Sequence, residues 1–150
     1  MTQTSSKTIL LIEDNPSDID LTKRALEKGR IVNELVVASD GEEALDYLFG
    51  RGQYAGRENF ELPTLTLLDL KLPKVSGLDV LRKIRSESIT RRMPVVILTS
   101  SREEQDVAAG YDLGVNSYIQ KPVDFDHFVQ SVAQLGLYWL VLNEVPPRVK

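Results

Sequence analysis

The sequence predicts an α/β fold: a doubly wound, five-stranded parallel sheet of order 2-1-3-4-5, with five helices covering its faces. Three observations lead there. Short apolar runs alternate with helical patterns five times along the chain, the signature of successive βα units. Several runs are apolar throughout, as in strands buried on both faces. Neither an internal repeat nor a linker interrupts the 150 residues, a length that one domain accommodates.

Thr8 to Ile12 forms the first strand, and Asn15-Pro16-Ser17 then makes a turn and helix start, with Pro16 near the first helical position. Ile19, Leu21, Ala25 and Leu26 supply that helix's apolar face before Gly29 ends it. Leu35-Val36-Val37-Ala38 is the second strand, and Ser39-Asp40-Gly41 leads into a helix over 42–49. Residues 50–63 make the longest loop, polar and glycine-bearing with Tyr54 and Phe60 interleaved; such loops are more often functional than accidental. Leu65-Thr66-Leu67-Leu68 is the third strand, followed by a turn through Lys71-Leu72-Pro73 and a helix over 77–85. Pro94 opens the fourth strand, Val95-Val96-Ile97-Leu98, and a fourth helix spans 103–111. Gly114 separates it from the fifth strand, Ser117 to Gln120, and a last helix covers 124–142.

Composition narrows the function. The net charge of −4, from 22 acidic against 18 basic residues with no long basic block, argues against a nucleic-acid surface. The absence of cysteine excludes disulfides and thiol catalysis. The polar start and short first apolar run match neither a signal peptide nor a membrane span, so the reading is cytoplasmic. A single histidine, His127, makes neither a zinc site nor a phosphorelay donor and reads as a helix-surface residue.

The strand ends carry the chemistry. The first strand delivers Glu13-Asp14, the third Asp69, the fourth Thr99 and the fifth Lys121. A sheet of this order opens its ligand crevice beyond the carboxyl ends of its first and third strands, where the carboxylates fall. At about 4 Å and an effective dielectric near 20, each like-charged pair costs roughly 4 kcal/mol. A divalent cation removes that penalty, and Mg²⁺ suits an oxygen-rich site that keeps waters. Asp69, alone at the centre of the sheet, is the candidate nucleophile toward a phosphoryl donor, giving an acyl phosphate. Thr99 can donate its hydroxyl to a phosphoryl oxygen, and Lys121 can pair with Asp69 before transfer and with the phosphoryl group after it. A lone strand-end Asp is usually a turn or cap residue, and Glu13-Asp14-Asn15 could be a helix cap. Neither reading explains Thr99 and Lys121 at the next two strand ends.

Glu13-Asp14, Asp69, Lys71-Leu72-Pro73 with Ser76-Gly77, Thr99-Ser100 and Lys121-Pro122 together resemble the receiver domain of two-component response regulators. The resemblance covers 7–142, leaving 1–6 as a tail and 143–150 as an extended tail. It implies a flavodoxin-like receiver fold, and Mg²⁺ held by Glu13, Asp14, Asp69 and the backbone carbonyl of Lys71. It also implies Asp69 as phosphoacceptor, Thr99 as switch hydroxyl, Tyr118 as switch aromatic and Lys121 as partner of the phosphoryl group. Lys71 and Ser101 occupy positions that influence water access to the acyl phosphate. The 50–63 loop and Gly136-Leu137-Tyr138-Trp139-Leu140 are similar to the stand-alone regulators that partner bacterial phytochromes, which implies a phytochrome-type histidine kinase as donor.

The last helix becomes apolar all round over 137–142, beyond what one buried stripe needs. That pattern predicts a homodimer through the fourth helix, fifth strand and fifth helix, with Phe125, Tyr138 and Trp139 at the interface. With no output domain following 142, the expected listener is a partner protein or relay. Among other functions, aspartyl-nucleophile phosphatases usually place a second Asp two positions on, where Lys71 stands. No phosphate-binding glycine loop of the P-loop or G-x-G-x-x-G type is present, and Glu13-Asp14 would repel a flavodoxin-type phosphate. A module that docks without stable phosphorylation is the remaining alternative to a phosphoacceptor.

Overall fold

The computed structural model describes residues 8–29, 33–56, 62–99, 107, 109, 111–120, 126–127, 129–130 and 134. In chain order these include β1 (Thr8–Ile12), α1 (Pro16–Lys28), β2 (Glu34–Ala38), α2 (Gly41–Phe49), a short 3-10 turn (Gly52–Tyr54), β3 (Leu65–Leu68), α3 (Gly77–Ser86), β4 (Val95–Thr99) and β5 (Ser117–Gln120). The expected helices over 103–111 and 124–142 lie mostly outside the described residues. Within them Val107, Ala109, Tyr111, Asp126, His127, Val129, Gln130 and Gln134 are helical, and His127 is exposed.

The strands run parallel in the order β2-β1-β3-β4-β5. Successive side chains of a strand face opposite sides of the sheet, so two cores form. Leu10, Ile12, Leu68, Val95 and Ile97 pack with Ala44, Tyr47 and Leu48 of α2 and Val80, Leu81 and Ile84 of α3. Ile9, Leu11, Leu65, Leu67, Val96 and Leu98 pack on the other face with Ala25 and Leu26 of α1, joined by Val129. Covering both faces is what lets β1 and β3 be apolar along almost their whole length.

Local chemistry sets the helix starts. Asn15 caps α1, its Oδ1 accepting from the amides of Ser17 at 2.9 Å and Asp18 at 3.1 Å, with Pro16 at the first helical position. Asp40 caps α2 by accepting from the Glu43 amide at 2.7 Å, while Glu43 reaches back to the Ser39 amide at 3.0 Å. Ser76 caps α3 through the Asp79 amide at 3.2 Å. All three starts lie at the carboxyl edge of the sheet, so the loops that cap the helices also surround the ligand crevice.

Candidate functional site

The sheet's own hydrogen bonding places the acidic residues. The β1–β3 ladder continues one residue beyond β3, where the Asp69 amide donates to the Ile12 carbonyl at 3.0 Å. The β1–β2 ladder continues likewise, with the Glu13 amide donating to the Ala38 carbonyl at 3.0 Å. Both residues are thus fixed by the backbone of a neighbouring strand, Asp69 by β1 and Glu13 by β2, before any side-chain contact is considered. Their side chains converge with that of Asp14, and a carboxylate oxygen from each of the three lies within 4.8 Å of the other two.

Burial makes this crowding expensive. Glu13 is 1% exposed and Asp69 is 7% exposed, while Asp14 faces solvent. At such separations and an effective dielectric near 20, each like-charged pair costs on the order of 3–4 kcal/mol. Backbone dipoles offset part of it: the Lys71 amide donates to Asp69 Oδ1 at 3.1 Å, and the Asn15 amide to Glu13 Oε2 at 3.3 Å. The donor set is hard oxygen, with two buried carboxylates and one open to water. That composition fits Mg²⁺ or Mn²⁺, which keep waters in their shell, and offers no imidazole or thiolate for softer metals.

The loop between β3 and α3 is held tightly against its surroundings. Gly77, the first residue of α3, sits so close to the backbone of Asp69 and Leu70 that a Cβ there would collide with the Asp69 carbonyl oxygen. Its amide donates to the Leu70 carbonyl at 2.9 Å, closing the loop. On the far side, a Cβ on Gly41 would strike the Val75 carbonyl oxygen. Lys74, between these contacts, has φ of 67°, a left-handed backbone that side chains rarely adopt. Sequence reading gave Gly41 as leading into a helix and Gly77 as a helix start, without their close approaches to neighbouring backbone, and passed over Lys74.

The other expected site residues divide into two groups. Thr99 ends β4 and pairs in register with Gln120 of β5, and Tyr118 pairs with Ile97. Lys121 follows Gln120 directly but lies outside the described residues, as do Ser101, Phe125, Tyr138 and Trp139. Lys71 is exposed, with its amide on Asp69. No helix among the described residues is long and apolar enough to cross a membrane.

Known proteins resemble this chain in sequence and fold. The sequence pattern of the response regulator receiver domain matches residues 9–133. Response regulator Rcp1 of Synechocystis sp. is 39% identical over 140 residues, which are 93% of each chain. A crystal structure of its Mn²⁺-bound form superposes with a TM-score of 0.82, covering 94% of this chain and 99% of that one at 38% identity. The phosphorylated cyanobacterial phytochrome response regulator RcpA superposes with a TM-score of 0.85 at 40% identity, covering 95% of this chain and all of that one (100%). The bacteriophytochrome response regulator RtBRR is 52% identical, with a TM-score of 0.78 over 95% of this chain and 86% of its own.

Proposed function

The chain belongs to the response regulator receiver family, a family of signalling proteins that receive phosphoryl groups from histidine kinases, and from that premise we propose that Asp69 is its phosphoacceptor and a phytochrome-type kinase its donor. The observation that carries this reading is the convergence of Glu13, Asp14 and Asp69 within 4.8 Å at the carboxyl ends of adjacent central strands. The likeness to Rcp1, RcpA and RtBRR favours a phytochrome-type donor over other histidine kinases.

In this reading an Asp69 carboxylate oxygen attacks phosphorus in line with the bond to the donor's imidazole nitrogen. The P–N bond breaks as the P–O bond forms, leaving an acyl phosphate on Asp69 and a neutral imidazole that has taken up a proton. Glu13, Asp14, Asp69 and the backbone carbonyl of Lys71 hold the cation, Mg²⁺ in this proposal. When bound it neutralises the crowded carboxylates and screens them from the phosphoryl oxygens. The Lys71 amide keeps one Asp69 oxygen oriented. Thr99 supplies a hydroxyl to the transferred group and Lys121 a positive charge, with Tyr118 responding as the switch aromatic. Five βα units complete the receiver, and Phe125, Tyr138 and Trp139 contribute to a homodimer surface. Water attack on the acyl phosphate returns Asp69 and inorganic phosphate, so the chemistry is limited to gaining and losing one group.

The test is an intact-mass comparison after incubation with acetyl phosphate, with and without Mg²⁺. One phosphoryl group added to the wild type only with Mg²⁺, and none to Asp69→Asn, is the expected result. Equal labelling of Asp69→Asn would overturn the assignment.

A further inference from the structure

We propose that Lys74 is a positioning residue for the acidic site, latching the β3–α3 loop to the first turn of α2 so that Lys71 stays in register with the three carboxylates. The inference rests on the cation reading above and extends it to a residue outside the coordinating set.

Two independent features of Lys74 point the same way. Its backbone is left-handed, and it is the one non-glycine residue at positive φ among the described residues. Glycine or asparagine would meet that requirement at little cost, so lysine there needs a compensating interaction. Its ammonium provides one, lying 3.5 Å from Asp40 Oδ2 and 3.6 Å from Glu42 Oε1. Asp40 is doubly engaged, since its other oxygen caps α2 through the Glu43 amide at 2.7 Å. The latch therefore ends on a fixed point of the helix rather than on a freely rotating side chain. The facing acids hold the ammonium's pKa above its ordinary value, Asp40 more strongly than Glu42.

The neighbouring contacts show what the latch controls. The Val75 carbonyl fills the space above Gly41, and the Gly41 amide reaches the Pro73 carbonyl at 3.5 Å. At the other end Gly77 is pressed against the Asp69 and Leu70 backbone. The loop from Leu70 to Ser76 thus spans a short gap between Asp69 and α2, with Lys71 bonded to Asp69 at one side and Lys74 tied to α2 at the other. Releasing Lys74 leaves that side of the loop held to α2 by the Gly41 amide on Pro73 and the Val75–Gly41 contact alone. The residue whose placement then loosens is Lys71, whose carbonyl completes the proposed cation shell.

Electrostatics gives the test a sign. A lysine near a cation site repels the cation, so a purely electrostatic Lys74 predicts that neutralising it tightens binding. A positioning Lys74 predicts the opposite. Mn²⁺ would be titrated into the full chain, with free Mn²⁺ read from its paramagnetic resonance signal, for the wild type and for Lys74→Gln, Lys74→Gly and Lys74→Arg. Lys74→Gln is expected to weaken Mn²⁺ about two- to fivefold, the scale of an exposed ion-pair cluster. Lys74→Gly should weaken it similarly although its backbone is eased, and Lys74→Arg should bind as the wild type. Unchanged or tighter binding by Lys74→Gln overturns the proposal. So does wild-type affinity in Lys74→Gly, because the backbone and not the ion pairs would then be the constraint. Failure of the wild type to bind, or equal binding by Asp69→Asn, removes the cation reading itself and this proposal with it.

Discussion

The two ends of the sheet handle charge in opposite ways. At the amino-terminal end, the Arg85 guanidinium of α3 lies partly buried among backbone carbonyls. Its Nε donates to Leu113 at 2.7 Å, Nη1 to Met93 at 2.7 Å and Arg91 at 3.1 Å, and Nη2 to Gly114 at 2.8 Å. One cation is shared among four acceptors from the segments that lead into β4 and β5. Desolvation lowers its pKa, yet a guanidinium stays charged at any ordinary pH. At the carboxyl-terminal end, three carboxylates are gathered with two of them buried. The first end meets its electrostatic needs with backbone carbonyls, whereas the second brings like charges together, which in the proposed function a cation from solution would neutralise.

Arg85→Ala is the most forceful way to break the comparison. It strands several carbonyls and should cost about 2–4 kcal/mol, seen as a lower urea midpoint, with the dependence on Mg²⁺ unchanged. A loss of cation response in this variant would mean that the two ends are not separable. The next effect belongs to the acidic end. Mg²⁺ at a hundredfold excess over its dissociation constant should stabilise the wild type by about 2.7 kcal/mol, or roughly 5–10 °C in melting temperature for a chain of this size. In Glu13→Gln most of the Mg²⁺ response should disappear. The smallest effect sharpens the contrast within the acidic end. Asn15→Ala removes the cap of α1 and should cost about 1 kcal/mol, equally with and without Mg²⁺, because Asn15 serves the helix rather than the ion.

The acidic end was the more legible of the two from sequence. Leu65 to Leu68 are apolar enough to read as a buried strand, so the position of Asp69 follows from where the run stops. Boundaries shifted by single residues: Glu34 joins β2 because it pairs with distant Thr8, and Gly41 joins α2 because the cap falls on Asp40 just before it. Arg85 was placed in the sequence as a residue ending a helix, and nothing local reveals that carbonyls 28 and 29 positions away accept from it. The same holds for Tyr54, whose hydroxyl donates to Glu43 at 2.9 Å and whose ring meets Tyr47 edge-on at 5.1 Å. The long loop therefore starts with an anchored turn that its polar, glycine-bearing composition conceals. Lys74 was illegible for a different reason: lysine carries no preference for a left-handed backbone, and only its distant acids make the position intelligible.

The ladder bonds that reach one residue past β1 and β3 have a mechanical consequence. Asp69 and Glu13 cannot shift along or away from the sheet without parting their amides from Ile12 and Ala38. The phosphoryl group proposed for Asp69 would therefore sit on a rigid mount, and the strain of accommodating it would fall on the less securely held chain around it. In the proposed function, any movement that follows modification would therefore arise in those surroundings rather than at Asp69 itself.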